Sequence, residues 1–407
     1  MRLKRTADVV IIGGGCMGTS AAFHLARKGI TDVVLLEREQ FLGTGSTGRN
    51  AGGFRHQFSS EANIRLSIES IKFMEEFEER VGYEIDFHQD GYLFLLSSVS
   101  AFEDFKKNVE LQRSFGIPVE LLMPEAIRML APGVETDGLI AGTYCSKDGI
   151  ADPNGVTQGF GRAAASMGVR IRRETEATGI YSERGRIEGV ATTRGDISTG
   201  IVVNAAGPYA RNVALMAGVD LPVLPYRRHI FITEPIPDSS TSAASRAGKK
   251  SLDPVAVSEF GITSRLMVID FETTFYFHRE GAGILFGMSD PHEPSSYNTS
   301  VSWEFLESVT EVARRRLPML MDLGIAHAWA GLYEMTPDAM PIIGPVGSLE
   351  GFFQLNGFSG HGFQHSPAAG RVLADMIAGE GPGDLNLAPF AFERFGKGPI
   401  AGESNVV

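Results

Sequence analysis

The sequence predicts an α/β protein in two parts: a discontinuous domain on a parallel sheet, and an α+β domain built on an antiparallel sheet. Three observations predict it. An apolar run, Val9-Val10-Ile11-Ile12, enters a glycine-rich turn and then a helical pattern over 19–28. Apolar runs ending in small residues return at 202–209 and 352–364. Over about 221–324, apolar and polar residues instead alternate with a period of two, the mark of an antiparallel sheet. Residues 1–81, 151–220 and 326–390 are expected to form the first domain, 82–150 and 221–325 the second, and 391–407 a C-terminal tail.

The first turn carries the chemistry most openly. Gly13, Gly15 and Gly18 have the G-x-G-x-x-G spacing, with Cys16 and Met17 between the last two. The first glycine permits the tight turn, the second lets backbone approach a pyrophosphate, and the third lets helix and strand pack closely. Free N–H groups and the positive end of the new helix then suit an anion. A second strand, 33–36, ends in Glu37, at the distance where a ribose-binding carboxylate belongs in a Rossmann-type unit. A dinucleotide site is expected here.

The remaining elements follow in order. The loop 43–53 holds Gly43, Gly45, Gly48, Gly52 and Gly53, too many for packing alone, and suits a backbone lying flat against a planar ligand. Helical periodicity is predicted over 59–81, 99–115 and 124–130, with a strand at 93–96. Pro153 near a first turn predicts a helix over 154–167, stopped by Gly168. Residues 180–190 and 196–203 are predicted antiparallel, with a turn near Glu183-Arg184-Gly185. The low-complexity stretch 238–245 is predicted to be a mobile loop. A helix over 303–317, a strand at 352–356 and a helix over 367–377 complete the reading.

Composition narrows the partners. A net charge of −12 without a basic block disfavours nucleic acid. No apolar run reaches membrane-spanning length, and none precedes the first strand as a signal segment, so a cytoplasmic protein is expected. Cys16 and Cys145 are too few for a disulfide framework, and no Cys/His cluster has metal spacing. A small-molecule substrate is the expected partner.

Taken together, Gly13–Gly18, Leu36-Glu37-Arg38, Gly45-Ser46-Thr47, the stretches 148–153 and 203–207, and those at 331–338 and 357–364 resemble the D-amino-acid oxidase/sarcosine oxidase superfamily of FAD-dependent oxidoreductases, and within it the sarcosine oxidase / proline dehydrogenase β subunit branch. The resemblance implies FAD. Glu37 would hold the adenosine ribose, with Arg38 at the adenine end. Gly45, Ser46 and Thr47 would meet the pyrophosphate. Asn50, Ala51, Gly52, Gly53, Ala177, Ala206, Gly207 and Gly331 would line the cofactor. Gly357, Phe358, Gly360, His361, Gly362, Phe363 and Gln364 would reach the flavin, and a helix N-terminus there would stabilise the negative charge of reduced flavin.

Departures from the family are informative. The cysteine that tethers FAD in monomeric sarcosine oxidases matches Gly331, and the histidine used by dimethylglycine dehydrogenases is missing near Gly48-Arg49, so FAD is expected to be non-covalent. The carboxylate-docking arginine of D-amino-acid and glycine oxidases matches Tyr333. The arginine and lysine that monomeric sarcosine oxidases use match Arg55 and Gln364. The oxygen-activating lysine matches Leu285, which favours a dehydrogenase. The implied reaction is oxidation of a secondary or tertiary amino acid, such as sarcosine, proline or dimethylglycine. In it Arg55 clamps the carboxylate, Tyr276 and Tyr333 line the pocket, Gln364 donates beside them, and His56 and His361 sit in the flavin-contacting turns. Two other readings stay open: a flavoprotein subunit active only with partner subunits or an electron-accepting protein, and a non-catalytic FAD-binding assembly factor.

Overall fold

The computed structural model describes residues 5–237, 265–381, 383, 385–396 and 402–406. One sheet has six strands in the order Ile342–Pro345, Phe352–Asn356, Ile201–Asn204, Val9–Ile12, Val33–Leu36 and Arg170–Arg172. All its neighbours pair in parallel except the edge strand Ile342–Pro345. The central strands are apolar throughout because both faces are covered. Val9 and Ile11 enter the core beneath helices Cys16–Arg27, Pro153–Ser166 and Gly362–Ile377. Val10 and Ile12 enter a second core, against helix Ala210–Met216 and a small sheet of Ala177–Glu183, Arg186–Thr192 and Ile197–Ser198.

The helix predicted over 367–377 begins earlier, at Gly362. Pro367 cannot donate to the carbonyl of Phe363, and the hydroxyl of Ser366 does so instead, at 2.9 Å, which lets the helix run through the proline. The stretch predicted as one helix over 59–81 is two, Glu61–Glu75 and Phe77–Val81, because Glu76 leaves the helical region. The stretch 196–203 also divides. Ile197–Ser198 pairs antiparallel with Arg186–Thr192, whereas Ile201–Asn204 joins the parallel sheet beside Val9–Ile12. The loop 238–245 lies outside the described residues.

The second sheet has eight strands in the order Ile325–Met335, Leu224–Thr233, Gly283–Met288, Phe275–Glu280, Met267–Asp270, Tyr92–Leu96, Ala141–Cys145 and Val119–Leu122. It is antiparallel except where Met267–Asp270 runs parallel to Tyr92–Leu96. Ile325–Met335, next to the expected domain boundary, is hydrogen-bonded along its length to Leu224–Thr233 in this sheet. Through Leu332 and Tyr333 that strand also reaches the glycine-rich loop and the turn after Asn356.

Residues 402–406 pack against the start of helix Glu61–Glu75. The buried Glu403 carboxylate accepts from Ser59 N, Ser59 Oγ, Ser60 Oγ and Asn63 Nδ2 at 2.8, 2.5, 2.8 and 2.9 Å. Burial pushes its pKa up, but these donors, Ser59 first, more than offset that and hold it below the ordinary range. Its contribution is therefore present above the usual carboxylate pKa and lost as pH falls through the lowered folded value. Glu403→Ala should cost about 3 kcal/mol at neutral pH in denaturant melts, and the difference from wild type should shrink as the solution is made strongly acidic.

Candidate functional site

A cavity of about 620 Å³ begins at the Gly13 turn, passes between the two sheets and ends among aromatic side chains of the eight-stranded sheet. At its first end the glycines divide by role. Gly13 (φ 115°) lies where a Cβ would stand 2.2 Å from Ala205 O, and a Cβ on Gly18 would stand 1.9 Å from Gly13 O. These two permit the backbone crossing, and Gly18 itself does not line the cavity. Gly15 and Gly45 line it, and a Cβ at Gly45 would meet nothing of the chain within 4 Å. Backbone is thus presented bare to whatever fills the cavity, which is how a pyrophosphate is approached.

Side chains complete that end. Glu37 accepts from Gly14 N and Glu39 N, both at 2.9 Å, which fixes a carboxylate at the cavity wall. Thr47 Oγ1 accepts from Cys16 N at 3.2 Å, joining the glycine-rich loop to the first turn of helix Cys16–Arg27. Ser46 Oγ donates to Leu332 O at 2.6 Å. Arg38 stacks on Tyr209 at 3.9 Å, and Tyr209 stacks on Tyr297 with centroids 4.7 Å apart. This flat platform is suited to a purine ring. Ala206, packed directly beside Gly13, continues the wall with Ala177 and Gly207. The residues present therefore fit a dinucleotide.

At the other end, Asn50, Ala51, Gly53 and Gly331 lead to Tyr92, Tyr276 and Tyr333. Among the described residues none of the three phenol hydroxyls has a hydrogen-bond partner, and burial raises the pKa of each, so they stand as neutral donors at the cavity wall. Tyr333 packs flat against the backbone of Gly360, where a Cβ would stand 2.4 Å from its ring. Gly360, Gly362, Phe363 and Gln364 bring the N-terminus of helix Gly362–Ile377 to the same wall. Met17 and Cys16 line it from below, and burial pushes the Cys16 thiol up to about 11, so it is protonated.

Several expected residues lie elsewhere. Arg55 does not line the cavity. Its Nη1 donates to Gln57 O and its Nη2 to Asn405 O, both at 2.5 Å, and its guanidinium stacks 3.9 Å from the Phe58 ring. The clamp role expected for Arg55 is therefore revised: the guanidinium ties residues 402–406 to the strand-end at Phe54. Gln364 reads the backbone of Arg55 at both ends, accepting from its N at 3.0 Å and donating to its O at 3.2 Å. His56 is held by Asp148 at 2.6 Å through Nδ1, and Asp148 also accepts from Gln57, so its oxygens are engaged even though Cys145 is near. His361 is buried against Phe58, away from the cavity wall; burial lowers it to about 3 and keeps it neutral. Gly357 and Phe358 pack behind the turn, and Gly52 behind the loop, against Thr336 and Ala151 respectively for the two glycines.

The sequence reading passed over Tyr92, Tyr209, Tyr297, Glu334 and Arg228, all of which line the cavity. A signal existed for Arg228: it lies two residues before Ile230, and residues two apart on a strand share a face.

Comparison with known proteins agrees with this geometry. The family model described as "FAD dependent oxidoreductase" (DAO) matches residues 8–376. The chain is 32% identical to "FAD-dependent oxidoreductase domain-containing protein 1" of Xenopus laevis, covering 98% of this chain and 85% of that protein. It is 31% identical to the mitochondrial dimethylglycine dehydrogenase of Rattus norvegicus, covering 97% of this chain but only 45% of the relative's length. Among solved structures, the L-proline dehydrogenase of P. horikoshii superposes with a TM-score of 0.86 at 33% identity, covering 98% of this chain and 100% of that one. Among the described residues no helix is long and apolar enough to cross a membrane.

Glu334 gives a test of the cavity's electrostatics. It lines the cavity, and among the described residues Oε2 has no partner. Burial pushes the carboxyl up to about 7, with partial relief from the N–H groups of Gly357 and Phe358. The fold thus favours the protonated form, and that stabilisation is present below the ordinary value of 4.5 and lost as pH rises through about 7. For protein stripped of bound nucleotide, stability should fall across this window. Glu334→Gln should flatten the fall and be the more stable form by about 2 kcal/mol above it in urea titrations.

Proposed function

Because the chain belongs to the DAO family of FAD-dependent oxidoreductases, it is an FAD-dependent enzyme, and we propose that it oxidises a secondary or tertiary N-alkyl amino acid such as sarcosine, proline or dimethylglycine to an imine that hydrolyses. The observation that carries this is one continuous cavity, with a dinucleotide cradle at one end and a chamber of three neutral phenols at the other. Bound FAD supplies the hydride acceptor, flavin N5.

The chain's residues divide the remaining work. The Gly13 turn, Gly45 and the first turn of helix Cys16–Arg27 would hold the pyrophosphate, Glu37 the ribose, and Arg38 with Tyr209 the adenine. The N-terminus of helix Gly362–Ile377, at the cavity wall, would offer positive dipole to negative charge on a bound flavin. Tyr92, Tyr276 and Tyr333 exclude water and orient the amine. A chamber poor in charge favours the neutral amine, whose lone pair must be free as the neighbouring C–H bond breaks. The relatives' names, dimethylglycine dehydrogenase and L-proline dehydrogenase, support this substrate class. Leu285 in place of the oxidases' lysine supports transfer of electrons to an acceptor protein or partner subunit rather than to oxygen. The protonated Cys16 thiol and the glycine at 331 support non-covalent FAD.

Anaerobic addition of sarcosine, L-proline or dimethylglycine to the purified holoenzyme should bleach the flavin absorbance with at least one of them. Absence of bleaching with every N-alkyl amino acid would refute the reaction. Acid precipitation should leave all yellow colour in the supernatant; colour retained in the pellet would show a covalent link.

A further inference from the structure

We propose that Arg228 is the residue that anchors the substrate's carboxylate, so that the site selects amino acids over plain amines. This rests on the amine-oxidation reading above and supplies the anchor that Arg55 does not.

Two adjacent arginines on strand Leu224–Thr233 have opposite fates. Arg227 is paired: Nε and Nη2 bond the Glu293 carboxylate at 3.1 and 3.0 Å, and Nη1 bonds Ser300 O at 2.8 Å. Arg228 lines the cavity, with its guanidinium carbon 5.1 Å from the centroid of the Tyr333 ring. Its Nη1 donates to the Arg227 carbonyl at 2.9 Å. Nε is shielded from solvent without a partner, and neither Nε nor Nη2 makes a hydrogen bond within the described residues. Among those residues no carboxylate pairs with it. A guanidinium whose Nε is shielded and unpartnered, with Nη2 beside it also unbonded, offers an arriving carboxylate two charge-assisted bonds edge-on.

Other cavity arginines are less suited. Arg38 is at the purine end, stacked on Tyr209. Arg49, like Arg228, donates Nη1 to a backbone carbonyl, that of Ala330 at 2.9 Å, but it does not act electrostatically on the phenols. Arg228 alone among these acts electrostatically on both Tyr276 and Tyr333, which places its charge at the phenol chamber. An amino acid whose carboxylate meets Arg228 would lay its amine among those hydroxyls.

The test uses purified holoenzyme and two readouts. In the first, pyrrole-2-carboxylate is titrated against the flavin visible spectrum without turnover. Wild type should show a saturable perturbation; Arg228→Met should weaken binding at least ~30-fold, with Arg228→Lys intermediate, while each keeps its bound flavin. In the second, anaerobic flavin reduction is compared for L-proline and pyrrolidine. Wild type should be reduced by the carboxylate-bearing member only, and Arg228→Met should raise the half-saturating concentration of L-proline by a similar factor with a smaller effect on the limiting rate. Unchanged carboxylate binding in Arg228→Met, no spectral response in wild type, or equal reduction by pyrrolidine would each overturn the proposal. Loss of carboxylate binding in the variant, when no N-alkyl amino acid reduces wild type, would uphold the anchor and sink the reaction.

Discussion

At the Gly13 turn two stretches of backbone pass closer than any side chain allows. The carbonyl of Ala205 occupies the space a Cβ at residue 13 would need, and the carbonyl of Gly13 occupies that of residue 18. This contact sets the first strand beside Ile201–Asn204 and seats the helix N-terminus above their ends. Further consequences follow along the sheet. Asn204 bonds Gln354 at 2.9 Å, and Asn356 bonds both Asn204 O and Gln354 at 3.0 Å, so three buried amides lock neighbouring strand ends in register. That register delivers the turn after Asn356, and with it the N-terminus of helix Gly362–Ile377, to the same cavity. Two helix N-termini from opposite ends of the chain converge because the backbone at one glycine turn has no bulk.

The cavity is electrically uneven along its length. Its first end combines a fixed carboxylate, a stacked guanidinium and bare N–H groups, each suited to a polar, charged ligand. Its second end is neutral phenol and backbone with one guanidinium at the edge. Such a low-dielectric chamber amplifies whatever charge is set in it. It also makes misplaced charge expensive, in keeping with the raised carboxyl of Glu334 at its wall. The eight-stranded sheet supplies the rigid face on which these groups are mounted, since Tyr276 and Arg228 project from paired, register-locked strands rather than from loops.

The parallel sheet was legible in the sequence because its information is local: an apolar run, a glycine turn and a helix are contiguous, and a carboxylate ends the next strand. What escaped reading depends on partners distant in sequence. The pairing of Met267–Asp270 parallel to Tyr92–Leu96 joins segments about 175 residues apart, and alternation says nothing of direction. Arg55 follows a two-residue strand, Gly53–Phe54, too short for alternation to show which way its side chain turns. Its placement is decided by the carbonyl of Asn405, which no local pattern predicts. Arg228 was overlooked for the opposite reason: two neighbouring arginines on a strand read as surface charge until one is seen paired to Glu293 and the other left open.

The link between Arg55, Asn405 and Glu403 bears on how the protein matures. The start of helix Glu61–Glu75 and the backbone after strand Gly53–Phe54 are fixed in part by residues 402–406, some 340 positions later. On a ribosome the cavity wall at residues 360–364 and the brace at residues 402–406 are both made after the Gly13 turn and the strands beside it, so the cavity is completed late. Without residues 402–406 the buried Arg55 guanidinium would lose the Asn405 carbonyl, and Ser59, Ser60 and Asn63 would lose the Glu403 carboxylate.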